Sequence, residues 1–379
     1  MVIALIVAIS CLALPFATFR ANRIVSGQSR DILASLPVWA AILLLAVVVL
    51  TAIVALLRTP VLLRLAAGIV SLAALALLIG VAAVHLTPPD NDYARVSPAA
   101  GFWLLLFAFC LLVADCFTRL RLPPLARIGS LAVAAAVIAL FFYSGAWDGL
   151  SIMKEYANRS DTFWAEAAQH VRLAFGSLVA ALIVGLPLGI LCHRVDSIRA
   201  SVLNVLNIVQ TIPSIALFGI LIAPLGWVAL HVPGAAAIGV SGIGAAPAFV
   251  ALFGYSLLPV VANTVIGLGG VPFAANDAAR GMGMTDTQRL MRVEFPLAFP
   301  VILTGIRIVL VQNIGLATIA ALIGGGGFGV FVFQGIGQTA MDLVLLGAVP
   351  TVALAFAAAI VLDAFIEMSA TTRKRGAPA

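Results

Sequence analysis

Ten apolar runs follow one another along the chain, at residues 2–19, 36–57, 62–84, 101–117, 128–144, 171–192, 201–229, 246–268, 297–322 and 344–366. Each approaches or exceeds the roughly 20 residues a helix needs to cross about 30 Å of hydrocarbon. Inside a bilayer the backbone has no water to bond, so such runs must fold as helices that satisfy their own N–H and C=O groups. Charge closes off the soluble alternative. Only 9% of the 379 residues are Asp, Glu, Lys or Arg, too few to coat a water-exposed domain. The expectation is an all-α polytopic membrane protein with about ten transmembrane helices.

The excess of base over acid, 21 residues against 15, then reads as topology and not as affinity for nucleic acid. With loops 58–64, 118–127, 193–199 and 269–296 and the tail 369–379 on the cytoplasmic side, thirteen Lys or Arg lie inside; the opposite loops hold six. The positive-inside rule favours this orientation, with Arg373, Lys374 and Arg375 in the cytoplasm. Loop 20–35 objects, because Arg20, Arg23 and Arg30 fall outside. Either the first run does not fully span or the count in the first third is one too high. That run lacks a basic n-region and a small-residue cleavage site, so it is expected to stay as a first helix. Cys11, Cys110, Cys116 and Cys192 have no pairing or ligand spacing and are expected as apolar packing residues, with no metal site.

Texture changes along the chain. Residues 147–170 form the longest polar stretch of the first half and read as a domain boundary. Beyond it Gly and Pro crowd the apolar segments, as at 185–189 and 324–329. They read as helix breaks, tolerated at membrane depth only where protein or an aqueous path satisfies the backbone, which marks this half as the working part. Its longest loop, Val271 to Pro296, is too polar to span. Ala274–Met282 favours helix, Gly281 and Gly283 interrupt it, and Thr285 with Gln288 three residues on fits a capping box that starts a second helix. That helix is expected to stop before Pro296, since proline disfavours helical geometry at the preceding residue. Helix, glycine turn, helix: the product is a rigid elbow suited to docking in a groove on a soluble partner.

Here the residues resemble a known family. Asp277-Ala278-Ala279, then Gly283, Val293 and Phe295-Pro296 resemble the cytoplasmic coupling motif of permeases in binding-protein-dependent ABC importers, which usually carries Glu-Ala-Ala, Gly, Ile and Leu-Pro at these spacings. Asp277, Val293 and Phe295 depart from it conservatively. Gln210-Thr211-Ile212-Pro213-Ser214, Gly305-Ile306-Arg307 and Ile323-Gly324-Gly325-Gly326-Gly327-Phe328-Gly329 look like signatures of the osmoprotectant permeases for glycine betaine, choline or carnitine. The earlier part, with Asn22-Arg23-Ile24-Val25-Ser26-Gly27 and Lys154-Glu155-Tyr156-Ala157-Asn158-Arg159, is similar to the extra N-terminal region of YehY-type permeases.

The resemblance implies a MetI-like type I importer core preceded by about five extra N-terminal spans. Residues 1–145 would be the membrane extension, 146–170 a periplasmic connecting segment, 171–368 the core with coupling loop 271–296, and 369–379 a basic cytoplasmic tail. It assigns Asp277, Ala278, Ala279, Gly283, Thr285, Arg289, Val293, Phe295 and Pro296 to ATPase coupling. Gln210, Thr211, Pro213, Ser214, Arg307 and Gly324, Gly325, Gly326 and Gly327 become candidates for the translocation path, the glycines in a re-entrant loop near the outer mouth. Arg307 and Asp363 are expected to pair with each other or to snorkel, in a structural role.

The implied function is an inner-membrane transport subunit, not an enzyme, that receives an osmoprotectant from a periplasmic binding protein and releases it inside by alternating access. No GxxxxGK[ST] phosphate loop occurs, so ATP and magnesium belong to a partner ATPase dimer and this chain needs no cofactor of its own. A second permease subunit, identical or related, and membrane lipid complete the expected partners. Trp147, Tyr156 and Trp164 are scattered, with no tight cage for a quaternary ammonium, which assigns high-affinity recognition to the binding protein. Two other classes fit worse. Gly239-Val240-Ser241-Gly242 imitates an intramembrane serine protease, yet no histidine follows His231 to act as base. An ion-gradient-driven secondary transporter of zwitterions would show paired repeats and buried ionisable residues; there is no such repeat between the halves and almost no charge at mid-depth.

Overall fold

Leu14 precedes Pro15, whose missing N–H and fixed φ stop a helix, and the first apolar run therefore divides. A computed structural model describes residues 2–23, 25–57, 59–91 and 93–375, with side chains as far as Ser369. In it α1 covers only Val2–Leu12, too short to cross a bilayer, and the β-prone Phe16-Ala17-Thr18-Phe19 that follows gives strand β1 (Ala17–Arg20). Among the described residues nine helices are long and apolar enough to cross a membrane. The side chains of the tail, Arg373, Lys374 and Arg375 included, lie outside the described residues.

The chain divides into two compact units, Met1–Arg159 and Ser160–Ala379. The first continues with β2 (Gln28–Arg30), α2 (Ile32–Ser35), α3 (Val38–Leu56), α4 (Val61–Leu86), β3 (Arg95–Pro98), α5 (Ala100–Leu120), α6 (Pro124–Tyr143) and α7 (Ser151–Asn158). Strand β1 pairs antiparallel with both β2 and β3, in the registers Thr18 to Ser29 and Thr18 to Ser97. This sheet fixes loops 20–35 and 85–98 on one side, as two intervening spans require. It also places partners beside one of the arginines that opposed the charge rule, Arg23. Arg23 lies 3.7 Å and Arg159 3.6 Å from the buried carboxylate of Glu155, Arg30 donates to Gln28, and Lys154 donates to the Ala94 carbonyl. Arg23 is thus paired inside a folded cap, whereas Arg30 makes an exposed local contact and the buried Arg20 Nε has no hydrogen-bond partner among the described residues.

The second unit holds α8 (Ser160–Arg194), α9 (Asp196–Thr211), α10 (Ser214–His231), α11 (Ala245–Gly269), α12 (Phe273–Gly281), α13 (Asp286–Arg289), α14 (Phe295–Ala317), α15 (Gly329–Gly337) and α16 (Met341–Arg375). Its core is the packing of α8, α11 and α14. Gly185 and Gly189 do not break α8, which runs on through Pro187. They let α11 approach: a β-carbon at Gly185 would lie 2.7 Å from Val260 Cγ1, and one at Gly189 2.6 Å from Thr264 Cβ. Small residues serve this purpose in lipid, where helices associate through close packing and hydrogen bonds. The hydrogen bonds are present too. Asn313 of α14, fully buried, donates to Ser177 Oγ of α8 and Ser256 Oγ of α11, each at 2.9 Å.

Gly189→Leu should push α8 from α11 and cost about 3 kcal/mol or more, because the atoms in the way include the Val261 carbonyl and not just a flexible side-chain end. A thermal unfolding scan in detergent would show the midpoint fall by several degrees; an unchanged midpoint would contradict the packing described.

Candidate functional site

The elbow after α11 is built by local rules. Helix α12 ends at Gly281, and Gly283 adopts φ +75°, a conformation glycine reaches without penalty. The amide of Met284 donates back to Ala279 O and that of Gly283 to Arg280 O, the paired bonds of a Schellman turn. Thr285 then caps α13: its hydroxyl accepts from Gln288 N at 3.3 Å while Gln288 Oε1 accepts from Thr285 N at 3.0 Å. Both expected devices are present. The end of the second helix differs. Phe295 is helical (φ −63°, ψ −47°) despite Pro296, and the chain passes through a π-helical turn, Leu290–Glu294, straight into α14. The wider turn makes room for the proline ring where an α turn would clash.

Along this elbow the named residues divide by exposure. Asp277, Ala278, Gly283, Thr285 and Pro296 are exposed, Val293 and Phe295 half-buried, and Ala279 buried. Phe273 and Met282 add exposed apolar surface, 79% and 70% accessible. Arg289 is buried. Its Nε lies 3.0 Å from Glu294 Oε1 and its Nη2 2.9 Å from Asp286 Oδ1, while the other oxygen of Glu294 takes Arg194 Nη2 at 2.6 Å. Glu294, 2% exposed, thus ties the elbow to the end of α8. A polar cavity of about 140 Å³ lies beside it, reached by Asp277, Asn276 and Arg280.

The break at Gln210-Thr211-Ile212-Pro213 separates α9 from α10 and is stitched to α11 by reciprocal bonds. Pro259 in α11 has no N–H to give Tyr255 O, and Gln210 Nε2 donates to that carbonyl at 2.6 Å. In return Tyr255 Oη donates to Ile212 O, a carbonyl freed at the break, at 2.5 Å. Gln210 is therefore a clasp, while Thr211 and Pro213 are exposed and Ser214 half-buried beside it.

The glycine run is held at the start of α8. Gly324, Gly326 and Gly327 adopt φ +76°, +77° and +87°. Glu166 Oε2 accepts from Gly327 N at 2.6 Å, His170 Nδ1 accepts from Phe328 N at 3.3 Å, and Gln169 Nε2 donates to Gly325 O at 3.0 Å. After it α15, only nine residues, packs back on α16, with Gly347 leaving no space for a β-carbon against Phe328 O. Arg307 and Asp363 do pair, at 2.8 Å. Ser241 donates to the Ile243 carbonyl, a loop contact.

Sequence reasoning missed Glu294, Arg194 and Tyr255. A Glu just before Phe-Pro and an Arg 100 positions away carry no spacing signal, because only the fold brings them to one point. Tyr255 did have one, standing four residues before Pro259 with a carbonyl that had to find a donor elsewhere.

Comparison with known proteins bears on the whole chain. Residues 1–153 match the family described as ABC transporter permease YehY, N-terminal domain, and residues 185–372 the binding-protein-dependent transport system inner membrane component. The osmoprotectant import permease protein OsmW of Salmonella typhimurium is 43% identical over 195 residues, 52% of this chain and 84% of the relative. The choline transport system permease protein OpuBB of Bacillus subtilis is 35% identical over 195 residues, covering 52% and 81%. The Salmonella osmoprotectant import permease protein OsmY is 36% identical over 241 residues, covering 63% and 91%. A chain from inward-facing crystals of the MetNI methionine ABC transporter overlays at TM-score 0.48 with 21% identity, covering 55% of this chain and 95% of that one, a likeness too distant to bear on function.

Glu294→Ala would leave Arg289 with Asp286 alone and free Arg194 to water. The elbow should loosen by on the order of 2 kcal/mol, below the roughly 3–5 of a fully stranded buried charge. Hydrogen exchange should then report local opening of residues 273–294 about thirtyfold more frequent, with α11 unchanged; unaltered protection of the elbow would show that the ion network does not hold it.

Proposed function

Because the chain belongs to the osmoprotectant permeases of binding-protein-dependent ABC importers, we propose that it passes a small quaternary-ammonium solute such as glycine betaine, choline or carnitine inward through the membrane, driven by a separate ATPase. The exposed face of the elbow supports this reading most directly: Phe273, Asp277, Ala278 and Met282 stand out on a short helix whose base is locked by buried ion pairs. A knob that is apolar outside and rigid inside transmits displacement. It seats in a groove on the ATPase, and two ATPase copies with a second permease subunit, identical or related, make up the complex together with a periplasmic binding protein.

Force then has a defined route. The elbow passes through the π turn into α14 and through Glu294 to α8. Both helices pack on α11, whose Tyr255 is tied to the break before Pro213. Closure of the ATPase dimer tilts these helices together and opens the path outward; hydrolysis resets them. Residues 171–368 with coupling loop 271–296 carry this cycle, while residues 1–145 extend the membrane portion.

In proteoliposomes with ATPase and binding protein, ATP-dependent uptake of glycine betaine or choline is expected. Gly283→Trp should cut uptake at least about tenfold with ATP hydrolysis retained. Gly283→Asn, which tolerates positive φ, should keep the turn and more of the uptake. A β-carbon at Gly283 meets nothing within 4 Å, so neither variant clashes internally. Normal transport by the tryptophan variant would count against coupling through this turn.

A further inference from the structure

The ion pair between α14 and α16 stands in an unusual place. Arg307 and Asp363 leave 39% and 40% of their side chains exposed. Arg307 lies near the middle of Phe295–Ala317, about 18 Å from Phe295 at roughly 1.5 Å per residue. Asp363 stands six residues before the end of its own span, Met341–Ser369, and charges within spans face water-filled cavities or other protein. The pair also has chemistry to spare. A guanidinium presents five N–H donors in a planar fork that matches a carboxylate, and Asp363 is met through Nη1.

A second observation lies on the same stripe of α14. Phe299, Leu303 and Arg307 follow at intervals of four, one above the next along a helix face. Phe299 and Leu303 line, with Leu362, Phe365, Met368 and Ser369, an apolar cavity of about 440 Å³. It is an open groove, lined by neither charged residue, but Leu362 directly precedes Asp363 and Leu303 stands one turn before Arg307. Small-molecule sites join such an apolar wall to a few placed polar groups. Two phenyl rings are surfaces that attract a quaternary ammonium.

We propose that Arg307, Asp363 and the adjoining Phe299–Phe365 cavity form a low-affinity site for a zwitterion carrying both a carboxylate and a quaternary ammonium. The carboxylate takes the free edge of Arg307, and the ammonium lies against the phenyl rings with Asp363 as counter-charge. The resting ion pair keeps both charges satisfied while the site is empty, and exchange of partners costs no net charge. A cation lacking the carboxylate uses only half of the site. This rests on the import reading above and adds to it a place of contact inside the permease.

The test is saturation-transfer NMR on the permease–ATPase complex in lipid nanodiscs, without binding protein, observing the ammonium methyls of glycine betaine and of choline. Wild type should give a saturable glycine betaine signal at millimolar concentration, weaker for choline. The double variant Arg307→Gln/Asp363→Asn should lose the betaine signal about tenfold and weaken the choline signal too, because Asp363 is the counter-charge of both; Arg307→Lys, which keeps the pair, should weaken betaine severalfold with choline little changed and serves if the double variant does not assemble. Equal betaine signals in wild type and in whichever of these variants assembles, or no saturable signal in wild type, would overturn the site. Transport failure is read separately: uptake in the liposome assay without Arg307-dependent binding sinks the site alone, and absence of both sinks the import reading with it.

Discussion

A polar group at membrane depth has to find its partner within the protein, since lipid offers none, and the second unit is organised around that demand. Asn313 meets two serines, Tyr255 and Gln210 exchange bonds across two proline defects, and Arg307 meets Asp363. Each partnership joins helices far apart in sequence. The apolar surface between them specifies little in a solvent as greasy as itself, so these few contacts and the glycine seams decide which helix lies against which.

The same demand separates strength from motion. Prolines 213 and 259 weaken two helices at one level, where a bend is easy, yet the freed carbonyls are not left bare. Since each defect is repaired by a side chain from the other segment, bending one without the other would strand a carbonyl. The break and the kink therefore move as one. At the other end Glu294 gives the elbow a fixed attachment to α8, so displacement at the exposed helix reaches the spans without being absorbed by a soft joint.

Much of this was legible in the chain. Run lengths gave most of the spans, although the run 201–229 proved to be two helices parted at Ile212-Pro213. The loop from Val271 to Pro296 gave its own turns, because Gly283 and the Thr285–Gln288 pair act within a few residues. What failed was local in a different way: a window of apolar residues hides Pro15, so α1 was drawn too long, and Gly185 and Gly189 looked like breaks when they are contact points. The proline rule at Phe295 was right about the clash and wrong about the remedy, which was a wider turn and not an ending. Glu294, Arg194 and Tyr255 lay beyond reach because their partners are fixed only by tertiary packing, and so did the ion pairs that Arg289 makes with Asp286 and Glu294.

The widened turn at Leu290–Glu294 has a geometric corollary. One surplus residue in a single turn rotates everything beyond it by about 100° relative to an uninterrupted α-helix. The direction in which Phe299, Leu303 and Arg307 look is thus indexed to the elbow by a phase offset stored in five residues. Insertions or deletions there would turn the inner stripe toward the wrong neighbour, which makes this short segment the angular key of the whole helix.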